Sequence, residues 1–147
     1  MKELNDKEII ELSKKNNIKV LGIYNKDIVP NDLSEGWYIL NLDDSDGVGT
    51  HWTTFLISKN NNIYFDSFGF CPPEHLHKIL SPYTYSKKEI QNPLSSSCGW
   101  FALQCIKWVS DGEPSNSLKV FENFINNYGP YTEINEMKLF KYFQNLN

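Results

Sequence analysis

No apolar run in the 147 residues approaches the roughly 18–20 needed for a helix to cross a bilayer. The opening stretch MKELNDKEIIELSKKNN is polar and amphipathic and lacks the apolar centre of a secretory signal. The chain is therefore expected to be soluble, not secreted and not bound to a membrane. Cysteine is scarce, with three residues, Cys71, Cys98 and Cys105. Their odd number and wide spacing, and the lack of a CxxC pair, argue against a disulfide framework. Basic clusters are lacking too, since none exceeds two consecutive lysines, as at Lys87-Lys88. With a net charge of −4 and a pI near 5.3, this argues against nucleic acid as the main partner. His75 and His77 lie close to Cys71, but without a fourth ligand nearby they read as the solvated start of a helix. No metal or cofactor is called for.

There is no internal repeat and no long linker, so residues 1–147 are read as a single domain. Hydrophobic residues make up 40% and aromatic ones 14%, which predicts a core rich in rings. Residues 5–16 read as a helix capped by Asn5 or Asp6, 18–23 as an extended segment, and 25–36 as a loop. Strands are expected over 37–42, 51–58 and 63–66, with a turn in DDSDGVG (43–49) and a tight turn at 60–62 that makes the last two a hairpin. A short helix over 73–80 and a strand at 83–85 follow. Residues 91–97 form a polar loop, 98–110 a buried helix, and 117–127 and 133–145 two amphipathic helices. The expected class is α+β, a small central sheet flanked by helices.

The chemistry starts at Cys98, which opens the buried helix and precedes Gly99. A helix N-terminus carries unpaired N–H groups and partial positive charge. Both stabilise a thiolate, and the same N–H groups can bind the oxyanion formed when it attacks a carbonyl. Gly99 lets the backbone approach a substrate closely. Taken alone, a Cys-Gly pair reads as a structural cysteine, which is what Cys105 is expected to be. A thiolate also needs an imidazole to exchange protons with, and His51 opens a predicted strand. Asp66 ends the next strand of the hairpin. Antiparallel pairing sets the start of one strand beside the end of the other, so His51 and Asp66 should be neighbours, with the acid orienting the ring. Asp43, Asp44 and Asp46 are rival acids in the turn. Gln91 lies seven residues before Cys98 and can supply an amide N–H to an oxyanion. Trp52, beside His51, is a ring suited to walling a narrow substrate slot.

Three pieces, GTHW (49–52), YFDSFGF (64–70) and QNPLSSSCGWF (91–101), resemble the adenain family of adenovirus maturation proteases and, more distantly, the Ulp/SENP proteases that process SUMO. LGIYNKDIVP (21–30) adds to the likeness, which spans about residues 18–110. The resemblance implies a papain-like cysteine protease fold, with Cys98 as nucleophile, His51 as base and acid, Asp66 as orienting acid, Gln91 in the oxyanion hole, and Trp52 and Gly99 at the substrate. It also implies a viral thiol endopeptidase that matures capsid or virion precursors next to small residues such as glycine. Such an enzyme is expected to be a monomer located in the virion and the host cell. Asp66 stands where the adenovirus enzymes carry Glu, and the segment between acid and nucleophile is shorter. The competing readings are a protease that removes ubiquitin-like modifiers, an acyltransferase sharing the triad, and an inactive binding module.

Overall fold

The structure, a computed structural model, describes residues 1–43 and 51–146. Apart from Asp43, the expected turn over 43–49 and the rival acids Asp44 and Asp46 lie outside the described residues. Five strands, β1 (Gly22–Asn25), β2 (Gly36–Asn41), β3 (Trp52–Ile57), β4 (Asn62–Phe65) and β5 (Tyr83–Tyr85), form one sheet in sequence order. The central pairs β2–β3 and β3–β4 are antiparallel, and the outer pairs β1–β2 and β4–β5 are parallel. Among the described residues five α-helices accompany them: α1 (Asp6–Lys15), α2 (Glu74–Leu80), α3 (Cys98–Ser110), α4 (Ser117–Asn126) and α5 (Thr132–Asn145). The fold is α+β, a small central sheet flanked by helices with Cys98 at a helix N-terminus, as expected.

Local chemistry explains the sharpest boundaries. Asn5 Oδ1 accepts from the Glu8 N–H at 2.8 Å and Glu8 Oε1 from the Asn5 N–H at 3.0 Å, a reciprocal cap that starts α1. β1 begins at Gly22, later than the expected extended segment, because pairing with Tyr38 of β2 starts there. Ile18 is instead buried behind the end of α1, its N–H on Ser13 O.

Side-chain alternation along the strands divides the core between the two sheet faces. Trp37, Ile39, Trp52, Leu56, Ile63 and Phe65 pack with α1, α3, α4 and α5. Tyr38, Leu40, Phe55 and Tyr64 face the other way, onto Val29 and the α2 residues Leu76 and Leu80. The buried α3 lies across the first face and packs on β3. That placement brings the start of α3 to the end of the sheet where β3 begins and β4 ends.

Candidate active site

The β3–β4 hairpin pairs Thr54 with Phe65, Phe55 with Tyr64 and Leu56 with Ile63. His51 and Asp66 flank this ladder at one end, and His51 Nε2 lies 2.7 Å from Asp66 Oδ1. The same carboxylate oxygen accepts the Phe68 N–H at 2.8 Å. The Asp66 side chain is fully buried, and Oδ2 has no hydrogen-bond partner among the described residues. Two charge-assisted bonds on one oxygen hold the carboxylate against the ring edge.

Cys98 is the first residue of α3, and its Sγ accepts the Trp52 N–H at 3.4 Å. Burial disfavours the His51 imidazolium, yet the hydrogen bond to Asp66 and the closeness and charge of Asp66 and Cys98 outweigh it and raise the imidazole to about 9. With Nε2 on Asp66, His51 Nδ1 is the nitrogen left for the thiol, and it has no hydrogen-bond partner among the described residues. At neutral pH the ring is an imidazolium between a carboxylate and a sulfur. A thiolate beside an imidazolium at a helix N-terminus is the arrangement that makes cysteine nucleophilic. Cys105 is fully buried, and burial pushes its thiol well up, as befits inert core. Cys71 is exposed.

Gln91 is buried and fastened at both ends of its amide. Its Oε1 accepts the Ser67 hydroxyl at 2.5 Å, and its Nε2 donates to Ser95 O at 2.9 Å. The first bond ties it to the residue after Asp66, the second to the loop before Cys98. A primary amide has two N–H groups, so one remains after the bond to Ser95.

Trp52 is buried, and its indole N–H donates to Leu4 O at 2.7 Å. A side chain on Gly99 would meet Leu4 at 3.2 Å and the Trp52 ring at 3.3 Å, so glycine lets these two close over the start of α3. Trp52 also lines a groove of about 1110 Å³ between α1 and β1, with Leu4, Ile23, Tyr24 and Asn41. The two histidines near Cys71 are engaged elsewhere: His75 Nε2 lies 2.9 Å from Val29 O, and His77 Nδ1 lies 2.7 Å from the Tyr83 hydroxyl.

Phe68 is a site residue the sequence reading passed over. Its ring stacks on His51 with centroids 4.1 Å apart and planes within 5°. The turn that carries it closes through Gly69 N–H to Asp66 O at 2.8 Å. Gly69 has φ +82°, and a Cβ there would meet Lys87 O at 2.6 Å, so only glycine fits. The signal was in the hairpin, because continuing its register past Phe65 sets residue 68 opposite residue 51. Stacking is worth about 0.5–1.5 kcal/mol beyond burial, or up to about tenfold in an equilibrium. Phe68→Ala is expected to slow alkylation of Cys98 by iodoacetamide at pH 7 by up to about tenfold, with Phe68→Tyr close to wild type. Equal rates in all three proteins would show that the ring does not orient His51.

No family model matches the chain, and no curated protein matches it. Among solved structures it is similar to the ASFV pS273R protease, with 19% identity and a TM-score of 0.41. The likeness covers 58% of this chain and 37% of that one, so this chain spans well under two thirds of its length.

Proposed function

We propose that the protein is a cysteine endopeptidase in which Cys98 is the nucleophile, His51 the general base and acid, Asp66 the orienting acid and Gln91 an oxyanion donor. The observation that carries this reading is the buried 2.7 Å contact of His51 with Asp66, on a ring near enough to Cys98 at the start of α3 to be raised by it. Cys98 attacks the scissile carbonyl carbon, forming an S–C bond and a tetrahedral oxyanion. The first-turn N–H groups of α3 and the remaining N–H of Gln91 are the donors suited to that charge. His51 gives its proton to the departing amine as the C–N bond breaks, leaving a thioester. It then takes a proton from water, which hydrolyses the thioester and restores the thiolate.

The substrate class follows from the likeness of residues 49–52, 64–70 and 91–101 to viral maturation proteases. Capsid or virion precursor proteins, cut next to small residues such as glycine, are the expected substrates, and the virion and host cell the expected location. Incubating the purified protein with the capsid and core precursors of its own virus is expected to release mature fragments with wild type and none with Cys98→Ala. Intact precursors with wild type, together with cleavage of a ubiquitin-like conjugate, would move the assignment to a deconjugating protease.

A further inference from the structure

The loop before the nucleophile is held from outside by α5. At one end, Asn135 is fully buried and donates Nδ2 to Ile90 O at 3.0 Å and to Gly129 O at 2.8 Å. At the other, Glu136 Oε1 accepts the Ser95 hydroxyl at 2.6 Å and also the Ser97 hydroxyl. Two neighbouring side chains of α5 therefore grip the residue before Gln91 and the residue before Cys98.

The Ser97 contact has a chemical consequence. Ser97 occupies the N-cap position of α3, where a serine hydroxyl ordinarily bonds to the N–H groups of the second or third helical residue. Here it makes no such bond: the hydroxyl is turned towards Glu136, to which it donates, and its oxygen accepts from no N–H of α3. Its backbone, at φ −89° and ψ 6°, is also held away from the extended geometry of a capping residue. The first-turn N–H groups of Gly99 and Trp100 thus have no side-chain cap. A self-capped helix would spend the donors that an oxyanion needs.

We infer that Glu136 is a positioning residue that draws the Ser97 hydroxyl away from the start of α3 and keeps the first-turn N–H groups open to the oxyanion. The inference rests on the reading of Cys98 as nucleophile, and two reagents separate the two claims. Iodoacetamide alkylates a thiolate by direct displacement and forms no oxyanion. p-Nitrophenyl acetate acylates it through one: the S–C bond forms, the ester C–O bond breaks, and p-nitrophenolate leaves. Glu136→Ala frees the Ser97 hydroxyl to compete for the donors. It is expected to slow the acylation burst by about fivefold, the worth of one cap, while alkylation stays within about twofold of wild type.

Removing the competitor restores the donors, so the double variant Glu136→Ala with Ser97→Ala should acylate faster than Glu136→Ala alone. A general loosening of the loop would give no such recovery. Glu136→Gln retains an acceptor oxygen and tests the same idea should the alanine variant not fold; its burst is expected within about twofold of wild type, since the donation of the Ser97 hydroxyl to residue 136 is kept. The inference is overturned by an unchanged burst in Glu136→Ala, by equal loss with both reagents, by no recovery in the double variant, or by a burst in Glu136→Gln slowed as far as a missing acceptor would slow it. If Cys98 of wild type is alkylated no faster than Cys71, the nucleophile itself is refuted, and the inference with it.

Discussion

Replacing Cys98 by alanine is expected to abolish hydrolysis, with a loss of about a million-fold, the scale seen when a triad nucleophile is removed. The residual rate comes from groups that bind and polarise the carbonyl without attacking it. The more discriminating result concerns the wild-type thiols. Cys98 is only 5% exposed, whereas Cys71 is exposed. If access alone decided reactivity, iodoacetamide would modify Cys71 first. The pairing of Cys98 with His51, on a ring held cationic to about pH 9, predicts the reverse order at pH 6. Peptide mapping after brief alkylation should find the label on Cys98, with little on Cys71 and none on Cys105. His51→Ala should abolish the preference, because the Cys98 sulfur then loses its cationic neighbour. Labelling that follows exposure would leave Cys98 a structural residue.

The parts of the site that could be read from the chain are those set by short-range chemistry. Asn5, one of the two caps expected for α1, proves to be the one that starts it, because with Glu8 it completes a capping box within four residues. The hairpin brings His51 to Asp66 because antiparallel pairing across a tight turn leaves little freedom of register. α3 runs over Cys98–Ser110 as expected, since its apolar density calls for burial and a polar loop precedes it. The start of β1 was set elsewhere, by its pairing with β2. The hold of α5 on the loop before Cys98 was not legible at all. Asn135 reaches Ile90 across 45 positions and Glu136 reaches Ser97 across 39. In the sequence these are two polar residues among many on α5, although the structure sets Asn135 in the buried stripe with Leu139 and Phe143. Trp52 shows a subtler limit, since its place beside His51 is plain from the sequence, but the anchoring of its indole on Leu4 depends on where the chain's opening residues lie.

Asp66→Asn is expected to change the proposed activity through the charge of His51 more than through its position. Asparagine is nearly the same shape and can still offer an oxygen to the Phe68 N–H, now held at 2.8 Å. What disappears is the negative charge and the charge-assisted bond to His51 Nε2, both of which raise the imidazole. Burial, the strongest influence on that ring, then acts against its cationic form with Cys98 alone to oppose it, so the imidazole falls well below 9. Above neutral pH the variant lacks the proton it must give to the leaving amine. Its rate at pH 8 should fall by on the order of a hundredfold or more, approaching the losses seen when the acid of a triad is neutralised. The alkaline limb of its pH profile should move to lower pH by about one unit or more. Stability carries the same signature. In the wild type, the folded imidazole sits near 9 against an ordinary 6.5. His51 therefore stabilises the fold in full below about pH 6.5, and this contribution disappears as pH rises through about 9. The difference amounts to about 3 kcal/mol at 1.36 kcal/mol per unit. Urea unfolding of the wild type at pH 6, 7.5 and 9 should show declining stability over that range, and Asp66→Asn should show little or no decline. Parallel curves for the two proteins would mean that Asp66 does not hold the charge on His51, and the proton that the proposed mechanism assigns to the leaving amine would have to come from another group.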